Sequence, residues 1–272
     1  MTLPALIACD VDGTLLDSDE TISARTRDVI RAAVEAGTEF VLATGRPPRW
    51  VQPVVDALGF APMAVCANGA VIYDPAGDRV LSARTLSVEI LGELAEIATR
   101  VIPGVGLAVE RVGNSAHDTA TPQFVSSPGY EHAWLNPDNT EVSIADLLST
   151  PAIKLLVRKP GARSADMAAV LAEYVGRSDG EITFSTNNGL IEIVAPGVSK
   201  ATGIEEIGRP RGITDEDVVA FGDMPNDVPM LLRAGHGVAM GNAHPDAMAA
   251  ANEITTPNTD DGVARVLERW WL

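Results

Sequence analysis

The chain has 272 residues, of which 46 % are hydrophobic and 4 % aromatic, and this length suffices for one large domain or two modest ones with packed cores. The formal net charge of −17 repels nucleic acid and anionic membrane surfaces, so we expect neither as a partner. The apolar N-terminal run lacks the basic start of a signal peptide, and nothing elsewhere approaches a membrane span, so we expect a cytoplasmic protein.

The first part of the chain alternates between apolar strands and amphipathic helices. We predict, in chain order, strand 6–11, helix 22–36 with Ser23 as N-cap and Gly37 at its end, strand 39–43, a helix that runs from Pro47 towards Gly59, and strands 63–66 and 70–73. This order predicts an α/β protein with a Rossmann-like parallel sheet and helices on both faces. Cys9 and Cys66 lie in such strands, and we expect both to be reduced core thiols.

The alternation then breaks. After a predicted helix at 86–100, the stretch 103–151 is rich in Gly, Pro, Ser, Thr and Asn, and we predict no regular element in it. Strands at 153–157, 182–185 and 190–194, with a helix at 165–175, indicate a mixed α+β module.

The parallel rhythm returns after Gly197. The predicted elements are helix 201–207, strand 218–221, helix 228–234, strand 237–240, helix 245–251 and a closing segment 262–271. We therefore predict a core domain formed by residues 1–84 and 188–272, with an α/β domain inserted at 85–187.

A pair of carboxylates in Asp10-Val-Asp12-Gly13-Thr14 directly follows the first strand. In open parallel sheets, ligands bind beyond the carboxyl ends of the strands. Alternation along a continued strand would place Asp10 and Asp12 on one side, an arrangement that suits a nucleophile and a general acid/base beside Mg²⁺. A solvated acidic turn explains these residues equally well when they are taken alone.

Three further segments place polar residues where a strand ends or a helix begins. Thr44-Gly45-Arg46 offers a hydroxyl and free N–H groups, Lys200 can neutralise a phosphate, and the turn 222–227 offers oxygen ligands for a metal. Taken alone, each is more typical of a turn, a surface lysine or a helix cap. Together they predict one site, because the carboxyl ends of parallel strands lie along one edge of a sheet.

In this order, Asp10-Val-Asp-Gly-Thr, Thr44-Gly-Arg, Lys200 and Gly222-Asp-Met-Pro-Asn-Asp227 resemble the four motifs of the haloacid dehalogenase superfamily of phosphohydrolases. Asn68-Gly-Ala70 and the run 237–242 are similar to its Cof-type branch, in which a type IIB α/β cap domain is inserted before the lysine motif. The resemblance covers most of the chain outside residues 85–187. It implies a Mg²⁺-dependent phosphatase that cleaves small phosphate monoesters, such as sugar phosphates, through an aspartyl phosphate.

The resemblance also implies a role for each matched residue. Asp10 is the expected nucleophile, and Asp12 the expected acid/base that protonates the leaving group and then activates water. Lys200 is expected to offset the charge on Asp10. The expected phosphate ligands are Thr44, Gly45, Lys200 and Asn226, and the expected metal ligands are Asp10, Asp12 through its carbonyl oxygen, Asp223 and Asp227.

Three alternatives stay open: a phosphomutase or phosphotransferase of the same superfamily, a signalling protein with a long-lived phosphorylated Asp, and a phosphate- or metal-binding protein without turnover. Asp12 argues against the last two, because an acid/base beside the nucleophile promotes loss of the phosphate. The sequence does not name the substrate. The candidates for substrate contact in the insert, each of a type more often found in packing or on the surface, are Arg111, His117, His132 and Trp134.

Overall fold

The computed structural model describes residues 3–118, 122–134 and 136–271. By its internal contacts the chain divides into two units. The first unit consists of the residues up to Arg79 and from Ser199 onwards, and the second of Val80–Val198, so that the second is inserted into the first. In the part of the chain that the structure describes, no helix combines the length and the apolar composition that a membrane span requires.

Short strands and helices follow one another in both units. The strands are β1 (Leu6–Cys9), β2 (Glu39–Ala43), β3 (Met63–Cys66), β4 (Val71–Asp74), β5 (Arg79–Ala83), β6 (Gly106–Glu110), β7 (Phe124–Ser126), β8 (Asn139–Glu141), β9 (Lys154–Arg158), β10 (Glu181–Thr183), β11 (Leu190–Val194), β12 (Val218–Gly222), β13 (His236–Ala239) and β14 (Glu253–Ile254). The α-helices are α1 (Ala24–Glu35), α2 (Gln52–Leu58), α3 (Val88–Val101), α4 (Ile144–Leu147), α5 (Ser164–Ala172), α6 (Lys200–Gly208), α7 (Val228–Arg233), α8 (Pro245–Ala250) and α9 (Gly262–Trp271). Ser23, the predicted N-cap of α1, accepts a hydrogen bond from the backbone N–H of Thr26.

The sheet of the first unit has the strand order β14-β13-β12-β1-β2-β3-β4. Every residue of β1 and β12 is buried, as expected for central strands that are covered on both faces. The predicted α/β fold is confirmed, with one correction: β4 runs antiparallel to β3, whereas the other neighbours are parallel. The segment between β3 and β4 is too short to form the crossover connection that a pair of parallel strands needs.

The register of this sheet brings three strand ends level with one another. Cys9 on β1 pairs with Leu42 on β2 and with Phe221 on β12. The segments that follow these strands therefore leave the sheet at the same edge. Asp10, Thr44 and Asp223 are the first polar residues along these segments.

The sheet of the second unit has the strand order β10-β11-β9-β6-β7-β8, and its neighbours are antiparallel except β7 and β8. Residues 103–151, for which no regular element was predicted, contain β6, β7, β8 and α4; these elements are only three to five residues long, too short for a periodic pattern to emerge. The second unit spans Val80–Val198, whereas the predicted insert spans residues 85–187. The later end follows because β11 belongs to this sheet.

One face of this second sheet carries both apolar and charged residues. The apolar cluster on that face consists of Ala108, Phe124, Tyr130, Leu156 and Leu190. By strand alternation the same face carries four charged residues, all of them buried: Glu110, Lys154, Arg158 and Glu192. Lys154 Nζ donates to Glu192 Oε1 at 2.5 Å, whereas Arg158 donates to the carbonyl oxygens of Glu131 and Asn188.

Candidate active site

Three carboxylates come together beyond the ends of β1 and β12. Asp10 follows β1, whereas Asp223 and Asp227 lie in the turn after β12, and all three are buried. One oxygen of each carboxylate lies within 4.8 Å of one oxygen of each of the others. The backbone N–H of Asp10 donates to Phe221 O at 2.9 Å, so the hydrogen-bond ladder of the sheet continues up to Asp10 and fixes its position.

Lys200 brings a positive charge to this cluster. Its Nζ lies 2.5 Å from Oδ1 of Asp10 and 2.5 Å from Oδ1 of Asp227, and the residue is fully buried. Lys200 is the first residue of α6, and a capping box holds the start of that helix: the N–H of Thr202 donates to Ser199 Oγ, and the N–H of Ser199 donates to Thr202 Oγ1. The lysine is therefore presented by a rigid helix start.

The turn after β3 packs directly against the start of α6. A Cβ at Gly69 would lie 2.1 Å from the carbonyl oxygen of Ser199, and Gly69 has φ +104°. Only glycine suits both this conformation and this approach. The turn at Gly69 therefore helps to set the position of Lys200.

Asp227 and Thr14 orient the turn after β12. Oδ2 of Asp227 accepts from the backbone N–H groups of Asp223 and Met224, both at 2.9 Å. Thr14 Oγ1 donates to Asp223 Oδ1 at 3.0 Å. Gly13 makes this contact possible, because its φ is +82° and a Cβ there would lie 2.5 Å from Asp223 Oδ2. The loops after β1 and β12 thus hold each other in place.

The acidity of the cluster is strongly perturbed. Burial raises the pKa of Asp10 well above its ordinary value of 3.8, and the charge of Asp227 raises it further, against the opposing effect of Lys200. Burial and Asp227 likewise raise the pKa of Asp223 to about 7. Burial acts to lower the pKa of Lys200, but the attraction of Asp10 and Asp227 prevails and the pKa is raised. The lysine stays charged, and the carboxyl groups favour the uptake of positive charge.

The donor set of this cluster fits a hard divalent cation. Carboxylate oxygens are the ligands that Mg²⁺ and Ca²⁺ take in proteins. Asp10, Asp223 and Asp227 form the one group of potential metal-ligand side chains found within the described residues. When all three carboxyl groups are ionised, they and the one ammonium leave two negative charges, which a divalent cation would neutralise.

Asp12 follows the end of β1 at Cys9 and is not buried with the three carboxylates, although its charge contributes to the raised pKa of Asp10. Its side chain is 58 % exposed, and Arg46 donates to both of its oxygens, from Nε to Oδ2 at 2.9 Å and from Nη2 to Oδ1 at 2.5 Å. The Arg46 side chain is only 14 % exposed. Asp12 is thus held by a partner on the segment that follows β2.

A second group of polar residues surrounds Gly45. Thr44 is fully buried, and its Oγ1 accepts from the backbone N–H of Arg46 at 3.0 Å. Asn226 Nδ2 donates to Asn68 Oδ1 at 3.1 Å, and a Cβ at Gly45 would lie 3.1 Å from that same oxygen. Oδ1 of Asn226 is buried and has no hydrogen-bond partner among the residues that the structure describes. A buried oxygen of this kind calls for a ligand or an ion.

Comparison with known proteins decides the family. The model of the haloacid dehalogenase-like hydrolases matches residues 7–267. This chain belongs to the haloacid dehalogenase-like hydrolases. Its relatives include 5-amino-6-(5-phospho-D-ribitylamino)uracil phosphatase YitU of Bacillus subtilis (strain 168), with 31 % identity over 99 % of this chain and 98 % of the relative. Pyridoxal phosphate phosphatase YbhA of Escherichia coli (strain K12) has 30 % identity over 96 % of this chain and 97 % of the relative.

A solved structure of a subclass IIB sugar phosphatase of this superfamily has the same fold. Its TM-score is 0.79 at 24 % identity, and the match covers 97 % of this chain and 98 % of the other. The match therefore includes the inserted unit as well as the first unit. The resemblance to the haloacid dehalogenase superfamily, to its Cof-type branch and to its type IIB cap is confirmed.

In this haloacid dehalogenase-like hydrolase, the residues predicted to form one site all lie in the first unit. The buried cluster contains Asp10, Lys200, Asp223 and Asp227; the group around Gly45 contains Thr44 and Asn226; and Asp12 lies beside Arg46. Arg46 and Asn68 were not predicted to have a role, although Arg46 follows Thr44-Gly45 and Asn68 precedes Gly69-Ala70. Their partners are 34 and 158 positions away, and no local pattern reveals contacts over such distances.

Among the candidates for substrate contact in the insert, Arg111 and His132 have packing roles in the structure. Arg111 Nη2 donates to the carbonyl oxygens of Asp146 and Leu147, at the end of α4. The His132 ring packs against the rings of Phe124 and Tyr130. The other two candidates, His117 and Trp134, are exposed.

Proposed function

We propose that this protein is a phosphatase that hydrolyses small phosphate monoesters through an aspartyl phosphate on Asp10. The observation that supports the proposal is the buried contact between Asp10 and Lys200 inside a cluster of three carboxylates. The strand ladder holds the carboxylate in one position, and the ammonium offsets its charge so that an anionic ester can approach. Such strongly perturbed groups at a strand edge are typical of functional sites.

We propose Mg²⁺ as the cofactor. Asp10, Asp223 and the main-chain carbonyl oxygen of Asp12 would hold the ion. Asp227 accepts from Lys200 and from two backbone N–H groups, and would complete the negative charge around it. When bound, Mg²⁺ offsets the negative charge of the nucleophile and of the transferred phosphate.

In the first step, an oxygen of Asp10 attacks phosphorus, the bond from phosphorus to the ester oxygen breaks, and Asp12 donates a proton to the departing alcohol. In the second step, Asp12 takes a proton from water, the water oxygen attacks the same phosphorus, and the phosphorus–Asp10 bond breaks to release inorganic phosphate. The exposure of Asp12 gives water access to its carboxylate. Phosphate oxygens would be bound by Thr44, Gly45, Lys200 and Asn226.

We propose a small phosphorylated metabolite as the substrate, since the relatives YitU and YbhA are named as phosphatases of a ribitylaminouracil phosphate and of pyridoxal phosphate. Every residue that we assign to phosphate chemistry lies in the first unit. We therefore assign the role of cap domain, and the choice among substrates, to residues 80–198. Because Cys9 and Cys66 are both buried thiols, which suits a reducing compartment, we place the protein in the cytoplasm.

Asp10→Asn tests the proposal. The amide is a poor nucleophile and a poor metal ligand, so hydrolysis of p-nitrophenyl phosphate is expected to fall by several orders of magnitude. Asp28→Asn, on the exposed side of α1, is the matched control and is expected to retain activity. Hydrolysis releases one inorganic phosphate with each nitrophenolate. Transfer of the phosphate to a sugar, or its retention as a stable phosphoprotein, would release nitrophenolate without inorganic phosphate. Wild-type rates in Asp10→Asn would contradict the proposal.

A further inference from the structure

We propose that Arg46 is a positioning residue for Asp12 and that it serves the hydrolysis of the aspartyl phosphate. The inference rests on the proposed function, since it takes Asp10 as the nucleophile and Asp12 as the acid/base. Its basis is the fork in which Arg46 Nε and Nη2 donate to the two oxygens of Asp12. A fork of this kind fixes both the plane and the direction of a carboxylate.

Arg46 is the immobile member of this pair. Its backbone N–H donates to Thr44 Oγ1 at 3.0 Å, and Nη1 donates to the carbonyl oxygen of Trp50 at 3.4 Å. Its Nη2 also lies 3.7 Å from Oε1 of Glu20. Asp12, in contrast, is largely exposed, and without its partner it would sample several rotamers. The position of the Asp12 carboxylate is therefore determined by Arg46.

The fork leaves Asp12 able to act as the base in the second step. Because each oxygen of Asp12 accepts from an N–H group of Arg46, the carboxylate is held in place and can accept a proton with its remaining lone pairs. When water attacks, its proton passes to Asp12, its oxygen bonds to phosphorus, and the electron pair of the broken phosphorus–oxygen bond returns to the Asp10 carboxylate.

The test compares the two steps in Arg46→Gln and Arg46→Lys by rapid mixing with p-nitrophenyl phosphate and Mg²⁺. Nitrophenolate leaves without needing a proton, so formation of the aspartyl phosphate from this ester does not depend on Asp12. In Arg46→Gln we expect a burst of about one nitrophenolate per active site, followed by turnover slower than in the wild type by on the order of 10²-fold. Acid-quenched Arg46→Gln should carry the phosphate. Arg46→Lys keeps the charge but loses the fork, and should show a smaller loss of the same kind.

Arg49→Gln is the matched control, since Arg49 lies in the same turn with its guanidinium 5.2 Å from the ring centre of Trp50; it should keep the wild-type ratio of the two phases. An equal slowing of burst and turnover in the Arg46 variants, or a raised KM without accumulated phosphoprotein, would overturn the inference. If Arg46→Gln does not fold, as judged by its thermal unfolding, Arg46→Lys decides by the same criteria. Absence of turnover in the wild-type protein would instead contradict the proposed function.

Discussion

Both units bury a lysine against carboxylates, but only one of the two clusters has an excess of negative charge. In the second unit, two buried cations share a sheet face with two buried carboxylates, and Lys154 donates to Glu192. In the first unit, Lys200 faces three buried carboxylates, and the pKa of Asp223 is raised to about 7 by burial and by Asp227. A balanced cluster needs nothing further, whereas an unbalanced one needs a cation. The candidate site therefore differs from the charged cluster of the second unit in one respect: it contains buried negative charge that the protein does not itself neutralise.

Among these predictions, we expect removal of divalent metal to have the largest effect, because the charge cluster of the first unit needs a cation and that of the second does not. EDTA is expected to abolish hydrolysis of p-nitrophenyl phosphate, and Mg²⁺ to restore it. Ca²⁺ should support it poorly, because calcium takes more ligands in a looser geometry. Mg²⁺ should also raise the unfolding temperature, since it binds the folded cluster. Full activity in EDTA would show that the excess charge has no part in the reaction.

Lys200→Met removes the ammonium and leaves its carboxylate partners buried. We expect turnover to fall by at least about 10³-fold and the metal-free protein to lose about 3–5 kcal/mol of unfolding free energy, because a buried charge then has no partner. Urea unfolding with and without Mg²⁺ measures the second effect, and Mg²⁺ should recover part of the loss. Lys159→Met, which removes an ammonium that donates to the carbonyl oxygen of Pro103, is the control. Retained turnover would remove Lys200 from the mechanism.

The balanced cluster should respond differently. Lys154→Met removes the ammonium that pairs with the buried Glu192, and we expect a loss of about 3–5 kcal/mol in unfolding free energy. Lys154→Met combined with Glu192→Leu removes both charges, and should recover most of that loss. Hydrolysis of p-nitrophenyl phosphate per folded molecule should be unchanged in both variants. If the double variant were as unstable as the single one, the loss of stability would not come from an unpaired charge on Glu192.

The smallest effect is the pH dependence of stability. The pKa of Asp223 is about 7 in the folded protein against an ordinary 3.8, so the folded state binds more protons than the unfolded state between these values. The stability that this group contributes is complete below pH 3.8 and is lost as the pH rises through about 7. In metal-free protein we expect a decline on the order of 1 kcal/mol per pH unit. Asp223→Asn should flatten it, and an unchanged slope in that variant would assign the decline to other groups.

The sequence alone predicts the buried cluster well. Its strands are short apolar runs that end in polar residues, so the positions of Asp10 and Asp223 follow from local pattern and from the shared polarity of the strands. The same argument does not by itself place Asp12. It assumes a strand that continues, whereas β1 stops at Cys9. The contact between Asp12 and Arg46 depends on the packing of two loops, and loop packing produces no periodic pattern in the sequence.

The insert is the less predictable part of the fold. Strands such as β7 and β8 have three residues each, and at that length neither alternation nor composition separates a strand from a loop. The strand β11 was predicted within the α+β module, but the predicted insert ended at residue 187, because nothing in its four apolar residues and Glu192 marks where the chain returns to the first unit. Its pairing with β9 and β10 moves the boundary of the unit to Val198.

The central strands of the first unit are synthesised at widely separated times during translation. β1 has β12 as one of its neighbours, and the whole of Val80–Val198 separates them along the chain. A ribosome adds about 5–20 residues per second, starting from the N-terminus. Asp10 therefore leaves the ribosome many seconds before Lys200 or Asp227 exists, and no nascent chain that ends before Asp227 can assemble the charge cluster. Translation itself keeps the carboxylate of Asp10 apart from its partners until the insert has been made.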